Sequence, residues 1–541
     1  MQALSSFHVR MGSTPADPER GRGLFFSSKK ACSTGDVLLA ELPAAAVLMW
    51  GQWKLRCASC YQPFAQLMTC GGCGLESYCS ELCQKRQWKA QHKMECSKMR
   101  ALRHGLEGSD FTDAVLCLRT LQRQSPKARV SEREGSALRP DLNDCYDMVS
   151  PSLQHRKHVA SGADPLEAND TGRKDRRCAH IASVLHKAVG TSISSDDALS
   201  MLLRIRASAF MIHDADRIDF AYGFFPHMAL VNHACSANCI ATFEFPDAGH
   251  KLGSSMILKL RALEAIEPET KLVHCYADLL TPVWNRQQRL KFGYNFMCRC
   301  ARCSGSHDVD IQLCGTTDGT ALLDDASLAL LAQPCADEVL EAQISQVRGL
   351  YVQVASLPVA EKDDQRSKDL KRAADLEETL QRPGNPKATL ETWISILSLR
   401  SKHVHPMAHV LADTHRKVAD AAVTAGNWVT AIQCLESMFK ARDTLLPACH
   451  PQRVTALTRL GTAYLRSATA CSQRRQQHLA AARDCFRRSC EAHETLFGSD
   501  PSCRSPYILH VRDLRAQAEA DVEAEADRVR QAQAEAEVEA E

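Results

Sequence analysis

Residues Gly223–Cys239 read GFFPHMALVNHACSANC, and the interpretation of the whole chain starts from this stretch. An apolar run leads into Asn232, His233, Cys235 and Asn238, whose side chains can form hydrogen bonds or bind a metal. A buried Asn-His pair, taken alone, more often satisfies hydrogen bonds of the core than it serves a ligand. Its meaning therefore depends on what else the chain places near it.

Three cysteines stand within six residues further on, in the sequence CRCARC at Cys298, Cys300 and Cys303. Three thiolates in a tight turn supply three of the four ligands of a tetrahedral zinc site. Cys235 is the obvious fourth ligand. A metal shared by these residues would draw the CRCARC segment over the Asn-His dipeptide and close a pocket, and Tyr276 lies between the two in sequence.

This arrangement resembles the SET domain of protein lysine methyltransferases. The motif NHxCxxN of that family stands here as Asn232–Asn238, the tyrosine that follows it looks like Tyr276, and the post-SET cysteine cluster looks like CRCARC. The resemblance implies that Tyr276 is the catalytic tyrosine. It also implies a structural zinc, because four thiolates leave no open coordination position.

A second group of candidate zinc ligands lies in residues 57–96, in the spacing C-x2-C-x9-C-x2-C-x5-C-x3-C-x8-H-x3-C. Eight ligands make two tetrahedral sites. A segment this short has too small a hydrophobic core to fold without bound metal or another cross-link. The pattern resembles the MYND zinc finger. By that resemblance the ligand pairs interleave, with one zinc on Cys57, Cys60, Cys79 and Cys83 and the other on Cys70, Cys73, His92 and Cys96.

Composition indicates a globular chain without an unusual charge. The 541 residues are 45% apolar and 24% charged, and the formal net charge of +2 gives no overall attraction to nucleic acid or membranes. No apolar run reaches the roughly 18 residues of a membrane span, and the first residues lack the apolar core of a secretory signal. We therefore expect an intracellular protein of the cytoplasm, the nucleus or both.

The C-terminal part predicts stacked helix pairs. His405-Pro406, His450-Pro451 and Asp500-Pro501 recur at spacings of 45 and 50 residues, each before a helical pattern. Proline near a helix start and glycine near its end are typical of helix-turn-helix repeats. A repeat of this length favours a solenoid of the tetratricopeptide kind.

The order of these parts narrows the resemblance to the SET-and-MYND (SMYD) family of lysine methyltransferases. The expected fold is multidomain α+β, with a β-rich SET domain split by a MYND finger, a zinc-bound post-SET segment and a C-terminal helical domain. The predicted bounds are a disordered N-terminus at 1–18, SET residues 19–56, the finger at 57–96, a helical linker and insertion at 97–210, the SET core at 211–280, the post-SET segment at 281–304, a linker at 305–335, helical repeats at 336–512 and a charged helical tail at 513–541.

The same resemblance implies a function and a set of site residues. The function is S-adenosylmethionine-dependent methylation of lysines in histones or other proteins, with three structural zinc ions. Cofactor-binding residues would be Arg20, Gly21, Arg22, His155, Asn232, His233, Tyr294 and Phe296, and the substrate channel would include Phe210, Tyr276 and Tyr294. Tyr294 and Phe296 alternate, so they would share a face on an extended strand.

Partner binding is the other expectation. By resemblance, the finger and the helical repeats would bind partner proteins. The last finger helix carries Lys85, Arg86, Lys89 and Lys93, which could meet DNA phosphates, although the near-neutral chain favours a solvated face.

The chain departs from the family pattern at two places, and these departures motivate an alternative. Ala234 and Ala237 replace a serine and a proline of the common motif, and Pro268–Lys271 replaces the usual Gly-Glu-Glu before the tyrosine strand. The alternative is a catalytically weak or inert SET-MYND scaffold that recruits partner proteins.

Overall fold

The computed structural model describes residues 8–13, 22–124, 171–214, 218–245, 256–294, 296–304, 365–380, 385–470, 472–498 and 506–540. They belong to two compact units, one of Met1–His274 with Leu290–Phe296 and one of Cys275–Arg289 with Met297–Glu541. His155 and the predicted linker at 305–335 lie outside the described residues.

The first unit holds all the strands found in the described ranges. They are β1 (Val9–Ser13), β2 (Arg22–Phe26), β3 (Val37–Glu41), β4 (Ala45–Leu48), β5 (Met68–Thr69), β6 (Ser77–Tyr78), β7 (Ala209–His213), β8 (Asp219–Phe224), β9 (Asn232–His233), β10 (Cys239–Glu244), β11 (Ile257–Ala262) and β12 (Val273–His274).

These strands form small sheets rather than one large one. Two are three-stranded and antiparallel, in the orders β10-β11-β3 and β4-β8-β7. β9 and β12 make a parallel pair, whereas β1 pairs with β2 and β5 with β6 in antiparallel fashion. The sequence indicates strands at 239–245 and 255–263, with apolar and polar residues alternating over Leu258–Ala262, and these strands are β10 and β11.

The prediction that residues 1–18 are disordered is wrong for β1. Val9 is buried, and the strand pairs residue for residue with β2 from Val9 opposite Phe26 to Ser13 opposite Arg22. This partner comes later in the chain and does not show in the periodicity of the N-terminal residues themselves.

Five helices in the first unit lie in the finger and in the helical insertion. They are α1 (Glu81–Gln87), α2 (Lys93–Arg103), α3 (Gly108–Gln124), α4 (Thr171–Val189) and α5 (Ser195–Ser208). The helical pattern of residues 196–212 indicates a helix over this whole stretch, but α5 ends at Ser208 because the next residues pair with β8 as strand β7. Phe210 therefore lies on a strand.

Two helices follow β12: α6 (Val283–Tyr294) and α7 (Ala301–Ser304). The prediction of an extended strand through Tyr294 is wrong, since this residue ends α6. Val283, Arg286 and Leu290 are buried at helical spacing, and this pattern accounts for the helix.

The second unit continues with helices that each pack against the next. They are α8 (Gln365–Thr379), α9 (Pro386–Ser401), α10 (His409–Thr424), α11 (Trp428–Leu445), α12 (Pro451–Ala470), α13 (Arg475–Phe497) and α14 (Pro506–Ala540). The two His-Pro repeats within the described residues have equivalent structures. The Nδ1 atom of His405 accepts a hydrogen bond from Met407 N at 3.1 Å, and that of His450 accepts one from Gln452 N at 3.3 Å.

The boundary predicted at residue 513 is not a structural boundary. α14 runs through it, and Val511 and Ala518 are both fully buried against the preceding helices. Among the helices that the structure describes, none combines the length and the apolar character of a membrane span.

Candidate active site and zinc centres

A buried carboxylate fixes the backbone that leads into the Asn-His dipeptide. Glu41, 1% exposed at the end of β3, accepts hydrogen bonds from the backbone N–H groups of His227 at 3.0 Å and Met228 at 2.9 Å. These N–H groups open the 3₁₀ turn Met228–Leu230, and a carboxylate is favourable at such a terminus. The sequence reasoning missed Glu41, although a lone acid at the end of the apolar run VLLAEL is a signal of this role.

The dipeptide itself forms β9 and pairs with β12. Asn232 lies opposite Val273 and His233 opposite His274, and Ala234 N donates to His274 O at 3.2 Å. This parallel pair places the motif beside the segment that leads to Tyr276. Tyr276 itself is half-buried, two residues beyond β12.

Asn238 joins the same two segments through its side chain. Its Nδ2 donates to Lys271 O at 3.0 Å, and its Oδ1 accepts from Val273 N at 2.9 Å. The amide thus mimics a strand partner for the backbone that enters β12. The last asparagine of the motif therefore has a structural role in this chain, fixing β12 against β9.

The side chain of Asn232 packs directly against the backbone of Gly23. A Cβ at Gly23 would stand 2.9 Å from Asn232 Nδ2 and 3.0 Å from Lys271 Cε. Asn232 keeps part of its surface exposed, and its Nδ2 is 3.5 Å from Arg22 O. A partly exposed amide held against the backbone of a glycine can bind a polar ligand. Arg20 and Gly21, predicted beside it, lie outside the described residues.

Aromatic rings surround β9 and β12. Phe210 stacks on His274, with centroids 5.6 Å apart, and meets Phe225 edge-on at 5.9 Å. Phe296 lies 6.0 Å from the ring of His233 and 6.5 Å from that of Tyr294. Phe210, Tyr294 and Phe296 are therefore grouped around the dipeptide and its partner strand.

His233 faces a predicted metal ligand. It is 2% exposed, and its Nε2 lies 3.4 Å from the sulfur of Cys235. A ring nitrogen at this distance can form a hydrogen bond to the sulfur, and hydrogen bonds of this kind orient metal ligands. The side chain of His233 is thus placed to support the cysteine, so a contact with the cofactor would come from its ring face or its backbone.

The finger brings its eight ligands together in the two predicted sets, and each set has its ligand atoms within 4.8 Å of one another. Ligand sulfurs of a tetrahedral zinc site with bonds of about 2.3 Å lie about 3.8 Å apart. Cys60 and Cys79 are 3.8 Å apart, as are Cys70 and Cys96. All twelve predicted ligands belong to three such groups, the third being Cys235, Cys298, Cys300 and Cys303. Zinc fits these donor sets of three or four thiolates.

A buried charge network lies behind the second finger site. His92 directs Nε2 towards Cys70 and Cys73, at 3.4 and 3.5 Å, and its Nδ1 is 3.0 Å from Glu76. This carboxylate also accepts a hydrogen bond from the hydroxyl of Tyr78. Carboxylate–histidine pairs of this kind orient zinc ligands.

Arg119 of α3 completes the network. Its guanidinium contacts Glu76 and donates to Glu95 at 2.6 Å and to Ala46 O of β4 at 2.5 Å. Burial alone would raise the pKa of Glu76, but the charge of Arg119 and the bonds from His92 and Tyr78 outweigh it and lower the pKa to about 2. The ionised network ties the finger to the helical insertion and to the sheet. Sequence reasoning missed Arg119, although it is the lone charge in the apolar stretch AVLCLRTL.

Comparisons with known proteins agree with this organisation. A protein-family model for the MYND finger matches residues 57–96, so the chain carries a MYND zinc finger. Sequence relatives include the N-lysine methyltransferase SMYD2-A of Danio rerio, 30% identical over 290 residues, which are 53% of this chain and 58% of that relative. The histone-lysine N-methyltransferase ASHR1 of Arabidopsis thaliana is 22% identical over 441 residues, 80% of this chain and 82% of that relative.

The chain therefore carries a MYND finger and is similar to lysine methyltransferases of the SET-and-MYND family. It spans less than two thirds of the length of the SMYD2 relatives it matches. Among solved structures, the crystal structure of the SET domain of LSMT bound to lysine and AdoHcy matches with a TM-score of 0.27 and 12% identity, over 82% of this chain and 90% of that one. A score this low does not establish a shared fold.

Proposed function

We propose that the protein is an S-adenosylmethionine-dependent protein lysine methyltransferase that acts on lysines of histones or other proteins. The observation that carries the proposal is the parallel pair β9–β12, which sets Asn232-His233 beside the strand that leads directly to Tyr276. The names of the relatives, which are lysine methyltransferases, support the same reaction.

The chain's own residues have distinct roles in this proposal. Asn232, whose amide lies against Gly23, binds the polar amino-acid part of the cofactor, and Phe296 provides an aromatic surface beside His233. Arg22 lines the same edge through its carbonyl. The cofactor, when bound, supplies an electrophilic methyl group.

The substrate lysine must arrive uncharged, because only the neutral amine is a nucleophile. Free lysine has a pKa of about 10.4, and an apolar channel lowers it by making the charged form costly. Phe210 and Tyr294 are the aromatic residues proposed for the channel. The hydroxyl of Tyr276 orients the amine for in-line attack, and much of the remaining rate gain comes from such positioning.

The zinc ions are structural in this proposal. Two stabilise the finger, and the third holds Cys235 together with Cys298, Cys300 and Cys303. The finger and the helical unit bind partner proteins.

Transfer of a labelled methyl group tests the proposal. Zinc-loaded protein should label histones or a cell lysate, and Tyr276→Phe should reduce the labelling at least tenfold while leaving zinc content unchanged. Acid hydrolysis of the product should release methylated lysine. Labelling that is unaffected by Tyr276→Phe, or found only on other amino acids, would refute the assignment.

The alternative of an inert scaffold rests on one observation in particular. Glu269, in the segment that departs from the family pattern, has φ of 64°, a left-handed conformation that favours glycine. A distorted entry to β12 would displace the residues after it. A scaffold of this kind would retain partners through residues 57–96 but bind no S-adenosylmethionine, so calorimetric titration of the cofactor, with a pull-down beside it, separates the two functions.

A further inference from the structure

A fully buried arginine stands beside the third cysteine cluster. Arg286, on α6, is 0% exposed. Its Nη1 donates to Thr281 O at 2.6 Å, and its Nη2 approaches the sulfur of Cys303 at 3.8 Å. One guanidinium therefore contacts both the turn that begins the helix and a predicted zinc ligand.

The next residue on α6, Gln287, forms hydrogen bonds to the CRCARC segment. Gln287, 3% exposed, donates from Nε2 to Cys298 O at 2.7 Å and accepts at Oε1 from Cys298 N at 2.7 Å. A side-chain amide that satisfies both backbone groups of one residue fixes that residue in position and orientation. Arg286 and Gln287 thus hold the two ends of the CRCARC segment, at Cys303 and Cys298.

The positive charge of Arg286 can compensate the negative charge of a zinc ion bound by four thiolates. Zinc with four thiolates carries a net charge of −2, and burying a lone guanidinium would cost several kcal/mol. Each charge reduces the cost of burying the other, and N–H groups directed at ligand sulfurs stabilise the thiolate form. A neutral side chain of the same length would remove this compensation at Cys303.

We propose that Arg286 is a positioning residue of the third zinc centre, where its charge stabilises the four-thiolate site and, together with Gln287, keeps the CRCARC loop in ligand geometry. The same residue also acts near Tyr276. Burial raises the pKa of the adjacent Cys275 to about 12, against the opposing positive charges of Arg286 and Arg302. Arg286 therefore connects the segment after β12 with the zinc loop.

Cysteine alkylation during chelator treatment tests the proposal without any methyl transfer. The full-length, zinc-loaded protein is treated with EDTA and N-ethylmaleimide, and mass spectrometry measures the alkylation rate of each cysteine. The variants are Arg286→Met, Arg286→Lys and Arg286→Gln. The matched control is Arg289→Met, which changes an exposed arginine of the same helix.

In Arg286→Met we expect Cys298, Cys300 and Cys303 to react roughly tenfold faster or more, as for other supporting residues of metal sites. The finger cysteines should react at the wild-type rate, and Arg289→Met should match the wild type throughout. Arg286→Lys, which keeps the charge, should protect the three cysteines better than Arg286→Gln.

Two results would overturn the proposal. One is wild-type protection of the three cysteines in Arg286→Met, and the other is equal alkylation in Arg286→Lys and Arg286→Gln. If Arg286→Met also exposes the finger cysteines, this substitution has unfolded more of the protein than the third zinc centre, and the comparison of Arg286→Lys with Arg286→Gln decides.

Discussion

At the scale of single residues, the position of the Asn232 amide depends on Gly23, which has no side chain. A Cβ at Gly23 would approach Asn232 Nδ2 to 2.9 Å, closer than such atoms approach in real structures. The amide would have to move, and with it the hydrogen bonds proposed for the cofactor.

Gly23→Ala should therefore weaken the binding of S-adenosylmethionine about tenfold, equivalent to the loss of about 1.4 kcal/mol, without unfolding the protein. Isothermal titration calorimetry measures the affinity, and circular dichroism checks the fold. Gly51→Ala is the matched control, because a Cβ there meets nothing within 4 Å. Equal affinity in the two variants would show that the Asn232 side chain is not part of the binding site.

The sequence could indicate Asn232, but not the way in which its neighbours act. Asn238 belongs to the same motif, and only the structure shows that its amide bonds to the backbone of Lys271 and Val273. His233 likewise turns its Nε2 to Cys235. The motif indicates which residue types are present, whereas the direction of the Asn238 side chain depends on backbone groups about 35 residues away.

At the scale of helices and strands, the finger is connected to the rest of the first unit by buried charges. Arg119 of α3 bonds to Glu76 and Glu95 in the finger and to Ala46 O of β4. Removing one partner of a buried ionic network leaves the other charges uncompensated, at a cost of about 3–5 kcal/mol.

Arg119→Met should accordingly lower the first thermal unfolding transition by several degrees and accelerate zinc loss from the finger. Arg123→Met is the control, because this half-buried arginine lies one turn further along α3 and donates to Pro43 O. Calorimetric scans of the zinc-loaded proteins provide the comparison. A similar, small shift in both variants would mean that the network contributes little to stability.

Hydrophobic periodicity predicted helices and strands well where the pattern within one element determines which of its faces is buried. The helical patterns at 407–424 and 428–445, which Gly426 and Asn427 separate, form α10 (His409–Thr424) and α11 (Trp428–Leu445). It failed where a distant partner decides. Phe210 continues a helical pattern but pairs with β8, and β1 is a strand only because β2 lies beside it.

At the scale of the whole molecule, cysteine spacing was the most informative feature of the sequence. Tetrahedral coordination needs a fixed number of ligands at short range, so the spacing predicted which residues bind metal. The resemblance to the MYND finger predicted how the eight finger ligands divide into the two sets that the structure groups together. The residues that support these sets, Arg119 and Arg286, could not be assigned in this way. Buried arginines have no characteristic spacing, and their partners come from different elements.

The central claim is that the Asn-His dipeptide and its neighbours form a binding site for S-adenosylmethionine. Calorimetric titration of this cofactor into folded protein with three zinc ions per chain tests the claim directly, because it requires no knowledge of the substrate. We expect one molecule bound per chain, with binding severely weakened in Asn232→Ala. A folded, zinc-replete protein that binds no S-adenosylmethionine, or that binds it equally well in Asn232→Ala, would contradict the claim.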